Sequence, residues 1–255
     1  MKHLLRSVVL IGLAFLFILN SAYAKEELNA VVDWAQRVDL TIPVEGIVSK
    51  VHVNTGQKVK KGQVLVELDK RIVRANLRQA KANVAGLQAS YKETKRELER
   101  AKELYERTVL SDHDLQVAKN NEVIAKSKLE LAKSNYVKAQ VELEYASLRA
   151  PFDSIILRRS VEVGKAIIKL QSYDTLITLA SSEKYLASAA LTQSQSALVN
   201  IGDAVRVVNN NKSYSAKIVA VEYADVKTTE KLVLVVEFSS NEKNLHAGTA
   251  VKIIF

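Results

Sequence analysis

The chain has 255 residues and carries 37 Lys and Arg against 28 Asp and Glu, a formal net charge of +9. It contains no cysteine and one methionine, Met1, which excludes disulfides, a lipoprotein anchor on a cysteine, and a sulfur-rich copper or silver site. Aromatic residues do not alternate with the basic ones, so nucleic acid is not an expected partner and the charge reads as a solvated basic surface.

Residues 1–24 read as an export signal. Lys2, His3 and Arg6 form a basic start, Val8–Leu19 is an apolar run, and Ala22-Tyr23-Ala24 is a small-x-small cleavage site. A membrane span needs roughly 20 apolar residues, so the run is short for one. The expected mature chain starts at Lys25 and is exported, with an uncleaved anchor as the alternative.

From Leu28 to Leu40 the pattern is strand-like. Val44–Leu68 then alternates apolar and polar residues around Gly46, Gly56 and Gly62, predicting short strands joined by tight turns. A second segment of the same kind runs from Arg149-Ala150-Pro151-Phe152-Asp153 through Gly164 to Leu179. The two halves read as one small sandwich or barrel.

Between them lies a charged stretch, Lys70–Ser147, with an apolar residue every third or fourth place. The first arm reads Val73, Leu77, Ala80, Val84, Leu87, Tyr91, Thr94, Leu98, Ala101, Tyr105. The second reads Leu115, Ala118, Glu122, Ala125, Leu129, Ala132, Tyr136, Ala139, Leu143, Ala146. This seven-residue repeat predicts an antiparallel coiled-coil hairpin. No proline interrupts it. The turn is expected at Arg107–Asp112, with Ser111 capping the second helix in a Ser-x-x-Asp arrangement resembling a capping box.

After Tyr185 the pattern stays β. Ala204–Val208, Lys217–Val221, Leu232–Val236 and Ala250–Ile254 are strand-like, and Gln193–Asn200 is the one expected short helix. This predicts a second barrel, completed by the Leu28–Leu40 region.

Together these residues resemble a periplasmic adaptor, a membrane fusion protein of the HlyD/RND type from tripartite efflux or secretion systems. The resemblance rests on Gly46, Gly56-Gln57, Val59, Lys61-Gly62-Gln63, Leu65 and Leu68-Asp69 in the first half. In the second half it rests on Ala150-Pro151-Phe152-Asp153, Arg159, Val161 and Gly164. It implies a mixed α and β fold: a split lipoyl-like β-sandwich (42–69 and 148–180) with the helical hairpin inserted (70–147). A β-barrel follows, built from 28–41 and 181–255. The chain reaches Phe255 with no evident membrane-proximal domain, which many adaptors carry. Three residues near the hairpin turn, Arg100, Leu104 and Ser111, stand at the family's spacing for contact with a TolC-type outer-membrane channel. Departures are Ala101 after the Arg, Ser154 where the family commonly has glycine, and Thr228-Thr229-Glu230 in the barrel loop.

The resemblance implies a non-enzymatic periplasmic subunit with neither cofactor nor metal, peripheral to the inner membrane. Its implied partners are an inner-membrane transporter of the resistance-nodulation-division type (or an ABC transporter), a TolC-type channel, and five further copies in a hexamer. Two other readings stay open: a lipoyl- or biotinyl-type carrier modified near Asp69-Lys70, and a periplasmic coiled-coil scaffold or chaperone. Against the carrier, that position is expected to lead into a helix rather than an exposed hairpin. Asp112-His113-Asp114 is read as a solvated helix start and not as a metal site, and Trp34 as a packing residue.

Overall fold

The structure is a computed structural model and describes residues 26–168, 174–210, 212–225, 228–242 and 245–255. The expected signal segment lies outside the described residues. The chain divides into two compact units, one of residues up to Ala35 with Glu183–Phe255, the other Gln36–Ser182.

The described chain begins with strand β1 (Glu27–Trp34), whose inward residues Leu28, Ala30 and Val32 are buried in the first unit. It then passes into the second unit with β2 (Arg37–Leu40), β3 (Gly46–Val51), β4 (Lys58–Val59) and β5 (Val64–Leu68). Helices α1 (Arg71–Glu106) and α2 (Asp112–Tyr145) follow. The unit closes with β6 (Ser147–Arg149), β7 (Ser154–Arg159), β8 (Ala166–Ile167) and β9 (Ile177–Ser181).

Its strands form two four-stranded sheets, ordered β2-β9-β7-β4 and β6-β5-β3-β8. Each sheet mixes strands from before and after the helices, so neither half can complete its hydrogen bonds alone. The turns show the same exchange. Gly56 N–H donates to Ile156 C=O at 2.8 Å and Gly62 N–H to Ala150 C=O at 2.7 Å. Both glycines hold positive φ, +80° and +81°, which side-chain-bearing residues resist. The core between the sheets is aliphatic, with Ile42, Leu65, Leu68, Ile156, Leu176, Ile177 and Leu179 almost inaccessible.

Asp153 ties the halves further. Its Oδ1 accepts from Lys61 N–H at 2.8 Å and its Oδ2 meets Lys60 Nζ at 3.0 Å. These two bonds hold its carboxyl below the usual carboxylate range, the backbone bond first. The Arg149 guanidinium also donates to Gly62 C=O at 2.8 Å. The Ala-Pro-Phe-Asp stretch is thus a fastener for the turn before β5.

The first unit resumes with β10 (Lys184–Leu191), α3 (Gln193–Ser196), β11 (Ala204–Asn209), β12 (Lys212–Asp225), β13 (Thr228–Ser239) and β14 (Ala250–Ile254). With β1 these strands close a six-stranded barrel in the order β1-β10-β13-β12-β11-β14. Closure removes free sheet edges. Val32, Ala187, Val207, Ile218, Leu234, Val236 and Ile253 fill it. An aromatic row, Trp34–Tyr185–Phe238–Tyr214, packs within it at centroid spacings of 5.4, 5.8 and 5.5 Å.

Two expectations need correction. The 28–41 segment does not belong wholly to the barrel: β2 pairs with β9 in the second unit. Val38 and Leu40 continue the inward alternation of β1, so hydropathy passes smoothly over the break at exposed Gln36. The helix expected over 193–200 is four residues long. Thr192 and Gln195 start it with a reciprocal cap. Val199 then turns into the barrel core, and Asn200 N–H bonds the Asp203 carboxylate instead of continuing the helix.

Candidate partner-binding tip of the helix pair

Helices α1 and α2 run back along each other. Lys70, Arg74 and Leu77 line one cavity with Gln140, Leu143 and Glu144, and further along Tyr91 bonds Glu122. Along α1 every residue from Arg71 to Ala101 that is shielded from solvent belongs to the repeat Val73, Leu77, Ala80, Val84, Leu87, Tyr91, Thr94, Leu98, Ala101. On α2 all ten repeat residues from Leu115 to Ala146 are buried or half-buried. At the foot of α1, Asp69 accepts from Arg71 N–H at 3.0 Å and from its guanidinium at 2.6 Å. The guanidinium bond is the main cause holding the Asp69 carboxyl below the usual range. The Asp69-Lys70 position therefore leads into a helix and not into an exposed hairpin.

At the far end α1 stops at Glu106 and α2 starts at Asp112. Tyr105 C=O accepts from Thr108 N–H at 2.9 Å and Leu104 C=O from Val109 N–H at 3.0 Å. Thr108 takes a left-handed conformation, φ 60°, to reverse the chain. Ser111 then caps α2, its Oγ accepting from Asp114 N–H at 3.2 Å. The return bond differs from a capping box: Ser111 Oγ–H donates to the Asp114 carboxylate at 2.6 Å. Aspartate is one methylene shorter than the glutamate of a capping box, and its carboxylate meets the hydroxyl instead of the Ser111 amide.

The three expected contact residues sit on this end. Arg100 is exposed on α1, with its guanidinium 3.4 Å from Glu93 one heptad back. Leu104 is 41% exposed. Ser111 is exposed but its hydroxyl is engaged in the cap. No described side-chain bond joins the three to each other. Sequence reasoning missed two neighbours: Val109, 71% exposed, and Tyr105, expected in the seam but 41% exposed. With Leu104 they make an apolar end where the two helices meet the turn. An apolar residue inside a five-residue turn was the available signal for Val109. Also unforeseen are Val117, Ile124 and Leu131, exposed on α2 at seven-residue spacing away from the seam.

Among the described residues no three His, Cys, Asp or Glu side chains gather to hold a metal, and no helix is long and apolar enough to cross a membrane.

The split sheets and their inserted helices match a known domain. Residues 36–181, more than half of the chain, fit the model of the CzcB-like, barrel-sandwich hybrid domain. The chain belongs to this family. An uncharacterized protein of Haemophilus influenzae is 30% identical over 198 residues, covering 70% of this chain and 43% of that protein. The efflux pump periplasmic linker BepF of Brucella suis is 39% identical over 136 residues, 53% of this chain and 33% of its own. The matches thus span less than half the length of these relatives. Among solved structures, the membrane fusion protein Spr0693 of Streptococcus pneumoniae superposes with a TM-score of 0.67, covering 89% of this chain and 97% of its own. Its sequence identity is 16%, so it speaks to fold alone. As a family member the chain shares its fold with membrane fusion proteins and its sequence with periplasmic efflux adaptors, the resemblance read from the glycine motifs.

Proposed function

We propose that the protein is a non-enzymatic periplasmic adaptor joining an inner-membrane transporter to a TolC-type outer-membrane channel for efflux or export. The observation that carries this is the helix pair: it leaves a family fold shared with an efflux pump periplasmic linker and ends in the exposed apolar turn of Leu104, Tyr105 and Val109. In this reading residues 1–24 are cleaved on export, and the lipoyl-like halves (42–69 and 148–180) carry a left-handed coiled-coil hairpin. The barrel faces the transporter, of the resistance-nodulation-division type or an ABC transporter. The hairpin supplies length and partner choice, and the transporter supplies energy.

Six copies form a ring. The exposed Val117, Ile124 and Leu131 on α2 support side-by-side packing of neighbouring hairpins, and many weak tips then act together through effective concentration. At each tip Arg100, Leu104 and Ser111 contact a channel groove as a helix end meets a groove.

The test is charge substitution at the tip. Ser111→Asp still accepts from Asp114 N–H but loses the hydroxyl's bond to the Asp114 carboxylate and sets two carboxylates together, so a stability loss of about 1 kcal/mol is expected, while a new charge enters the contact. Arg100→Asp and Leu104→Asp alter the contact without touching the cap. Each variant, folded and exported at normal levels, is expected to lose transport and tip-to-channel crosslinking in cells. Full transport and crosslinking in all three would overturn the reading.

A further inference from the structure

Each helix of the pair has an outward face, opposite the seam. In the root half of α1 the residues farthest from the seam are Ala75, Ala82 and Ala89, all exposed. On α2 they are Ser127, Ser134 and Val141, also exposed. Short side chains such as these let two helix axes come close together.

The borders of the two rows match each other. The helices are antiparallel, so equal offsets from the rows lie on the same side of the hairpin. On one side α2 carries Leu131 and Tyr145, 65% and 47% exposed, where α1 carries Gly86 and the exposed Ile72. No atom lies within 4 Å of where a Cβ on Gly86 would stand, so the backbone there is an open notch. A glycine inside a helix costs about 1 kcal/mol against alanine, and a neighbour's side chain seated in the notch gives it a use. On the other side α1 carries Arg78 and Lys92 where α2 carries Glu144 and Glu130. Neither Arg78 nor Glu144 has an ion pair among the described residues. Glu130 shares its carboxylate with Lys133 of its own helix at 2.8 Å.

Heights agree as well. Cavities along the seam bring Leu77 beside Leu143 and Ala80 beside Ala139. Counted from there, Ile72 lies within one helical turn of the level of Tyr145, as do Gly86 of Leu131, Arg78 of Glu144 and Lys92 of Glu130. Rotation about an axis along the hairpin keeps every residue at its own height. The same residues therefore come level between α2 of one copy and α1 of the next.

We infer, on the ring reading given above, that the outward face of α2 docks on the outward face of α1 in a second copy of this chain. Leu131 enters the notch at Gly86, Tyr145 covers Ile72, and Arg78 meets Glu144. The two faces differ, so the contact is head to tail and repeats until the ring closes. Beyond Lys92 the outward side of α1 turns charged, with Glu93, Arg96 and Glu103, which confines the close contact to the root half.

The chain has no cysteine, so introduced thiols are its only ones. Ala89→Cys and Ser134→Cys, placed in one chain, face apart within a hairpin and come close only between copies. A short bismaleimide applied to exporting cells is expected to give a ladder of covalent multimers from the double variant and monomer alone from either single variant. In that background Arg78→Glu sets like charges together and is expected to cut the multimer yield about threefold or more. Adding Glu144→Arg is expected to restore it. If a charge variant is not exported at the normal level, the cysteine pair, which alters two small exposed side chains, decides. Absence of a ladder, a dimer from Ser134→Cys alone, or a yield that ignores Arg78→Glu in the exported protein overturns the inference. Tip-to-channel crosslinking in the same cells reports separately on the adaptor reading, and its persistence without a ladder leaves that reading standing.

Discussion

Tyr91 on α1 hydrogen-bonds the Glu122 carboxylate on α2, so two seam positions meet through a polar contact between apolar layers. A polar pair in such a seam fixes which residues face each other at some cost in stability. The bond to Glu122 is the main cause raising the Tyr91 phenol above its ordinary value.

The sign follows from linkage. The protonated phenol is favoured in the folded chain, so this contribution is complete below about pH 10 and is lost as pH rises through the raised value. Carbon-13 tyrosine spectra should show Tyr91 titrating above the exposed tyrosines. Glu122→Gln should bring it back toward them. A Tyr91 resonance that ignores the substitution would remove the bond from the account.

Leu87→Pro should break α1. It removes a backbone donor and forces the ring against the preceding turn, costing about 3 kcal/mol or more. Helical circular dichroism should fall steeply, while the β strands keep their own hydrogen bonds. An unchanged helical signal would contradict the continuous α1.

Thr108→Gly should stabilise the turn. A β-branched residue in the left-handed region pays about 1–2 kcal/mol, more than the entropy glycine loses, so a net gain of about 0.5 kcal/mol is expected. Thr108→Val should keep the strain and lose the 2.7 Å bond of its hydroxyl to Arg107 C=O. Thermal melting of the helical signal separates the two, and a glycine variant that melts earlier would show that the conformation is unstrained.

Asp153→Asn should blunt the acid sensitivity of the Gln36–Ser182 unit. The depressed carboxyl stabilises the fold above its ordinary value, near pH 4, and this stabilisation is lost as pH falls through the lowered folded value. Denaturant unfolding of wild type should weaken more steeply below about pH 4 than that of the variant. Parallel acid limbs would mean that the Lys60 and Lys61 contacts carry no weight.

What could be read in advance depended on repetition and on local chemistry. The seam from Val73 to Ala146 was legible because one period recurs along both arms, and Ser111 because capping is decided within three residues. Gly56 and Gly62 announced turns because their positive φ favours glycine. The break between β1 and β2 was hidden, since Val38 and Leu40 keep the rhythm of Val32 while serving another sheet. Thr108 gives no hint of a left-handed backbone. Arg100, Leu104 and Ser111 were singled out by family spacing and stand as a proposal, whereas the exposure of Tyr105 and Val109 needed the turn itself. Glu26 meets Gln195 across 169 positions, a separation over which local patterns carry no information.

The junction at Gln36 also bears on how the chain assembles. Ser181 N–H bonds Gln36 C=O at 2.9 Å, and one step outward Ala35 N–H bonds Lys184 C=O at 3.3 Å. Once the 36–182 segment has folded, its two ends are already side by side. Strands β1 and β10, far apart in sequence, then meet as neighbours in a hairpin whose bend is an entire folded unit. Where that segment folds first, its own core has already met the entropy of closing the long loop. On that order of events, damage to Gly62 or Asp153 is expected to slow barrel formation without touching a barrel residue, which refolding followed by Trp34 fluorescence checks.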